Sequence, residues 1–374
     1  MKVLHLIDSG GLYGAEQVLL TLVSEQMKAG LSPMIISAGL PDEEEKPLER
    51  AAKNQGLPVT PWRMAAGFNL EGARELVRWA RADHYDLLHS HGYKFNVLMG
   101  LWPSRYRGVP LVATLHGYIR APRFTKGWCY ERLDRLVLGR MDHVVLVSEA
   151  MRSQLPARIG HSDNSSVIAN GINTARVQAA AAAEIPDDLS AFVSGNRPLI
   201  LGVGRLSHEK GFDRLLEALS ILAETFPNAG LLIIGEGPAR AGLEAQATAL
   251  GLSGRVRMPG YVDAVPAVMA NADVLCMPSR TEGLPITLLE AMCVGLPVVA
   301  SRVGDMPAVM GDGRGGRLLD SGSPVELAKA LSTRLGRSEE VRRAVEWSRL
   351  QVAEHYSESA MMREYETVYR KVLA

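Results

Sequence analysis

The chain has 374 residues, more than one hydrophobic core ordinarily supports, so two domains are expected. Hydrophobic residues make up 47% and charged residues 22%, and 41 basic side chains balance 41 acidic ones. This excludes a disordered or fibrous chain and leaves no global charge to attract nucleic acid. Cys129, Cys276 and Cys293 have no metal-ligand spacing, and no apolar run nears the roughly 18–20 residues of a membrane span, so a cytoplasmic chain with buried thiols is expected.

Residues 3–7 open the chain as a strand that Asp8 ends too soon for a leader peptide. The glycine-rich stretch Gly10-Gly11-Leu12-Tyr13-Gly14-Ala15-Glu16 follows, where glycine lets backbone approach a ligand. A helix over 15–29 places Val18, Leu19, Leu22 and Val23 on one face. Strands are expected at 33–37, 87–89, 111–115, 143–147 and 166–168, with 42–47 as a loop or helix start. The alternation of apolar runs with amphipathic stretches predicts a parallel sheet wrapped by helices. His116 lies at the carboxyl end of one strand, where ligands sit in such sheets.

Between His91 and Arg140 there are nine Lys or Arg, among them Arg107, Arg120, Arg123 and Lys126, against only Glu131 and Asp134. Interleaved aromatics such as Tyr118, Phe124, Trp128 and Tyr130 leave two readings. One is a solvated face over core aromatics. The other is a surface for an anionic acceptor or an acidic membrane, which would place the protein peripherally at the inner face.

The alanine-rich 178–183 and the Pro-, Asp- and Ser-containing 186–198 mark the expected connector, dividing domain 1–180 from domain 181–355. Strands then resume at 199–203, 231–234, 255–258, 274–277, 298–300 and 316–319. Arg205 and Lys210 follow the first of these, where two cations can clamp a diphosphate without a metal. Further on, Thr281-Glu282-Gly283-Leu284-Pro285-Ile286-Thr287-Leu288-Leu289-Glu290 puts a proline where a helix begins. The amides of Gly283, Leu284, Ile286 and Thr287 then make an anion site. Glu282 is free to grip sugar hydroxyls, and Glu290, two turns on, could hold a ribose diol. The last segment, 357–374, reads as a terminal helix.

These residues resemble the retaining glycosyltransferases of family four, which have the GT-B fold. The resemblance spans nearly the whole chain and is most specific in the paired glutamates Glu282 and Glu290, continued by Ala291-Met292 and Gly295-Leu296-Pro297. Val167-Ile168-Ala169-Asn170-Gly171-Ile172-Asn173, Gly204-Arg205 with Lys210-Gly211, and Gly235-Glu236-Gly237-Pro238 support it. It implies an α/β fold of two Rossmann-like, doubly wound domains facing across a cleft. The terminal helix, about 356–374, would cross back to the first domain.

The resemblance also implies a retaining, metal-independent hexosyltransferase working in glycan, exopolysaccharide or glycolipid synthesis. Its substrates would be a UDP- or GDP-linked sugar and a glycan or lipid-linked acceptor. His116 and Glu282 would be the catalytic pair. Arg205 and Lys210 would take the diphosphate, residues 283–287 the sugar and phosphate, and Glu290 the ribose. Either Gly11 or Gly14 would approach the phosphate, since the glycine loop is longer than the family's usual form. Val303-Gly304-Asp305-Met306-Pro307 departs from the family's pattern, which leaves the contacts of that loop open. A sugar-nucleotide epimerase on the same fold would lack the paired glutamates, and a silent sugar-nucleotide sensor would not need Arg205, Lys210, Glu282 and Glu290 together.

Overall fold

Strands covered on both faces have no solvent side to mark by alternation, so they read as short continuous apolar runs. The structure, a computed structural model, describes residues 1–8, 11–12, 14–65, 67, 69–116, 126–336 and 338–374. They form two compact units, Met1–Gly171 with Glu358–Ala374, and Ile172–Ser357.

The first unit carries β1 (Lys2–Ile7), β2 (Ser32–Gly39), β3 (Val59–Arg63), β4 (Leu87–Ser90), β5 (Leu111–Leu115), β6 (His143–Leu146) and β7 (Ser165–Val167). They pair in parallel in the order β3-β2-β1-β4-β5-β6-β7. The edge strand β3 has no counterpart among the strands expected from sequence. None of its residues is fully buried and Pro61 interrupts it, so no apolar run announces it. The helices Gly14–Lys28 and Glu358–Leu373 cover one face, burying Val18, Leu22, Met361, Tyr365 and Tyr369 over Val3, Leu87, Val112 and Val145.

The second unit carries β8 (Leu199–Val203), β9 (Gly230–Ile234), β10 (Val256–Gly260), β11 (Val274–Met277), β12 (Val298–Ser301) and β13 (Arg317–Leu319). The order is β10-β9-β8-β11-β12-β13, again parallel. Both units are thus doubly wound α/β sheets of Rossmann type. Cys276 and Cys293 are buried thiols, both pushed up by desolvation.

The boundary falls at 171/172 rather than 180/181, and the expected connector at 178–183 is mostly helix. Residues Thr174–Ala181 coil because alanine is the best helix former and Asn173 caps them, its side chain accepting from the Arg176 amide at 2.6 Å. Val177 anchors this helix in the core of the second unit.

Candidate active site

In the second sheet, β8 leads outward through β9 to β10, while β11 leads the other way through β12 to β13. The carboxyl ends of β8 and β11 therefore flank the point where strand order reverses, the crevice in which doubly wound sheets bind ligands. The loop after β8 carries Arg205 and Lys210, and the loop after β11 carries Glu282. The spacing of 72 residues in sequence closes to a contact: Lys210 Nζ lies 2.5 Å from Glu282 Oε1. Ser279 Oγ donates to the same oxygen at 2.8 Å. Lys210 lies along Gly204, while Arg205 is exposed nearby in sequence.

Two devices that sequence spacing does not reveal hold these loops together. Arg280 forks onto Asp213 at 2.8 and 2.6 Å and also donates to the His208 carbonyl at 2.7 Å. The guanidinium holds the Asp213 carboxyl below its ordinary value. Gly211, at φ +69°, presses so closely on the neighbouring loop that a Cβ there would lie 2.1 Å from the Pro278 carbonyl oxygen. Only glycine combines that conformation with that approach.

Behind Glu282 the turn continues into the helix Ile286–Val294, with Pro285 at the N-cap, one residue ahead of the helix. The Leu288 amide is taken by the Pro285 carbonyl at 3.0 Å, whereas Ile286 and Thr287 open the helix and have no intrahelical acceptor. Gly283 and Leu284 precede them in the same turn. Gly304, in the loop that departs from the family pattern, supports Glu282 from behind at φ +57°. A Cβ there would lie 2.2 Å from the Glu282 carbonyl oxygen. Glu290 lies half-buried within the helix; burial raises its carboxyl and the charge of Arg176 offsets part of that rise. The arrangement sets a cation, a carboxylate and open amides around one crevice, which suits a ligand with both phosphate and hydroxyl groups.

In the first unit, the order also reverses between β1 and β4, and polar residues gather there. His116 Nε2 lies 3.1 Å from His91 Nδ1, and His91 Nε2 lies 2.9 Å from His5 Nδ1. His5, His89 and His91 have ligand atoms within 4.8 Å of one another, a spacing that a metal ion could bridge. All six of their ring nitrogens are already hydrogen-bonded, however, so the trio is a polar network as it stands. Burial holds the His5 and His116 imidazoles down at about 4. Gly14 starts its helix in open space and Gly11 is buried, while Ser9, Gly10 and Tyr13 lie outside the described residues.

A model of group 1 glycosyl transferases matches residues 188–350, and a model of glycosyltransferase family 4 matches residues 13–176. The 2-deoxystreptamine glucosyltransferase of Streptomyces kanamyceticus is 30% identical over 314 residues, 79% of this chain and 81% of that protein. The chain belongs to the group 1, family 4 glycosyltransferases. The GDP-mannose-dependent α-(1-6)-phosphatidylinositol monomannoside mannosyltransferase of Mycolicibacterium smegmatis is 33% identical to this glycosyltransferase over 64% of its chain and 63% of the relative. In fold, the glycosyltransferase is similar to Anabaena HepE, solved in complex with UDP. That likeness has a TM-score of 0.80 at 22% identity and covers 99% of this chain and 100% of HepE. The fold is therefore GT-B.

The basic segment of this glycosyltransferase is not one exposed face. Arg107 is fully buried; it bonds Asp142 at 2.7 Å and the carbonyls of Val109, Met99 and Trp102. A guanidinium with five donors can tie several helix-end and loop carbonyls at once, so this charge belongs to the core. Lys94 pairs with Asp8 at 2.9 Å and Arg135 with Glu131 at 2.6 Å. Arg105 and Arg132 do stack on Tyr106 and Trp128, and Tyr106 and Leu136 are exposed. Tyr118, Arg120, Arg123 and Phe124 lie outside the described residues. No helix among the described residues is long and apolar enough to cross a membrane.

Proposed function

We propose that the glycosyltransferase moves a hexose from a UDP- or GDP-linked sugar to a glycan or lipid-linked acceptor with retention and without a metal. The observation that carries this reading is the meeting of Lys210, Glu282 and the opening turn of the helix Ile286–Val294 at the reversal point of one sheet. Lys210, with Arg205, neutralises the leaving diphosphate, as charge-assisted contacts can where a divalent ion would otherwise serve. Glu282 accepts from the sugar's hydroxyls, residues 283–287 receive sugar and phosphate oxygens, and Glu290 holds the ribose diol. Gly11 or Gly14, in the loop after the first strand, lets backbone approach the phosphate.

In the step itself, the bond between the anomeric carbon and the phosphate oxygen breaks as the acceptor oxygen bonds to that carbon. The acceptor's proton passes to the leaving phosphate. His116 stands on the acceptor side. A GDP-mannose-dependent relative, and the UDP bound in the structurally similar HepE, support a nucleotide donor. Turnover with radiolabelled nucleotide sugars, after a thermal-shift screen across UDP- and GDP-linked glucose, mannose, galactose and N-acetylglucosamine, tests the reading. Labelled product of retained configuration with EDTA present supports it. An altered sugar still on its nucleotide, or binding with no turnover, rejects it.

A second reading concerns the acceptor. The arginine–aromatic stacks at Tyr106 and Trp128, with exposed Leu136, favour an anionic, membrane-borne acceptor over a small soluble one.

A further inference from the structure

The histidine contacts in the first unit extend beyond the reacting side. His5 Nε2 meets Gln26 Oε1 at 2.7 Å, and Gln26 Nε2 donates to the Tyr369 hydroxyl at 3.2 Å. Tyr369 reaches His89 Nδ1 at 2.7 Å, His89 Nε2 reaches Thr114 at 2.8 Å, and Thr114 meets Tyr365 at 3.0 Å. Every member between His116 and Tyr365 is buried, so no water is needed to complete the set. His116 is the open end: its Nδ1 is enclosed and has no hydrogen-bond partner among the described residues.

We propose that Gln26 is a positioning residue that, through His5 and His91, fixes His116 with the proton on Nε2 and a bare lone pair on Nδ1. An amide oxygen only accepts, so His5 must carry its proton on Nε2. A neutral imidazole has one proton, so His5 Nδ1 accepts from His91 Nε2–H. By the same step, His91 Nδ1 accepts from His116 Nε2–H, and His116 Nδ1 is left unprotonated. Burial keeps His89 and His91 well below the ordinary histidine value, and His5 and His116 at about 4, so one proton per ring is the state near neutrality.

The other arm agrees in sense. The Gln26 amide group donates to Tyr369, whose hydroxyl donates to His89 Nδ1, so His89 donates from Nε2 to Thr114. The opposite polarity would leave an enclosed N–H without an acceptor at His116, which native structures tolerate less readily than an under-used acceptor. A bare Nδ1 can accept from a hydroxyl of a bound sugar once binding uncovers it, and cannot donate to one. This consequence rests on the reading of His116 as a group that meets substrate.

Long-range proton–nitrogen correlation spectra of the full-length chain with 15N-labelled histidine read each tautomer without any turnover. The expected result is His116 as the Nε2–H form, moving to a mixture in Gln26→Met, which keeps side-chain size but neither bond. In parallel, kcat/KM falls about tenfold, the scale of one net hydrogen bond. Gln26→Glu, protonated at this buried position, keeps one acceptor and one donor and restores both the spectrum and the rate. His116 protonated on Nδ1 in the unaltered chain overturns the proposal, as does a tautomer indifferent to Gln26→Met. A shifted tautomer with an unchanged rate overturns instead the role of His116 at the substrate.

Discussion

The Lys210 ammonium and the Glu282 carboxylate form a 2.5 Å ion pair, and the proposed function assigns them to adjoining parts of the donor, the diphosphate and the sugar. Without ligand, each is the other's counter-charge, and the Glu282 side chain is only 9% exposed. On the proposed function, donor binding replaces one partner by diphosphate and the other by hydroxyls, so each charged group keeps a polar partner. Losing either residue strands the other.

Lys210→Ala is expected to abolish most transfer and to lower stability by ~1–3 kcal/mol, between the values for exposed and buried pairs. Adding Glu282→Gln recovers much of that stability and none of the activity. Urea denaturation of the two single variants and the double variant gives the coupling; additive effects reject the pair.

Glu282→Gln alone keeps size and loses charge. Its kcat/KM is expected to fall by about 10²-fold or more, as when a transition-state contact is removed. Affinity for bare UDP or GDP is expected to hold, measured by calorimetry. A parallel collapse of nucleotide affinity moves Glu282 from the sugar to the phosphate.

Gly304→Ala introduces a Cβ facing the Glu282 carbonyl oxygen at a positive φ. The loop must shift and take Glu282 with it. Transfer is expected to fall by about 10²-fold, since small misplacements cost that much in an oriented site. Gly242→Ala, inside the helix Arg240–Ala249 where a Cβ meets open space, is the control and is expected to leave transfer within about twofold of the original.

Acid is expected to destabilise the first unit through its histidines. His5 and His116 titrate at about 4 when folded and near 6.5 when unfolded, so between those values the unfolded chain binds more protons. Their contribution is complete above about 6.5 and is lost as pH falls toward 4, at ~1.4 kcal/mol per unit for each imidazole. Denaturation midpoints measured between pH 7 and 5 check this, and His5→Gln is expected to flatten the slope.

For the acceptor side, Arg105→Ser with Arg132→Ser is expected to weaken sedimentation with anionic liposomes at low salt, by about 1 kcal/mol per charge. Donor hydrolysis is expected to be untouched. Indifference of the unaltered chain to such liposomes leaves a soluble acceptor.

Much of this was legible in the residues themselves. Buried parallel strands announce themselves as apolar runs, and Pro285 with its glycines marks a helix start, so the Glu282 loop could be placed. The edge strand at Pro61 and the helix at Thr174–Ala181 were not, because one has no apolar run and the other has a composition that also suits a linker. Arg280 and Asp213 stand 67 residues apart and meet only because β8 and β11 are neighbours. Tyr365 and Tyr369 read as ordinary core residues of a terminal helix. Their hydroxyls gain meaning only beside His89 and Gln26, more than 250 positions away. Charge counting misled for Arg107, since a composition cannot tell a surface cation from one tied to buried backbone carbonyls.

The first unit is discontinuous, and its second piece, Glu358–Ala374, is synthesised only after the whole of the second unit. While the ribosome is still making the intervening domain, the sheet face under Val3, Leu87 and Val112 waits without its final covering helix, and Gln26 and His89 wait without Tyr369. The second unit, drawn from one uninterrupted stretch, is free to fold as it emerges. A nascent chain arrested before residue 358 would therefore expose apolar sheet and unsatisfied imidazoles together, a surface for chaperones to recognise until residues 358–374 are made.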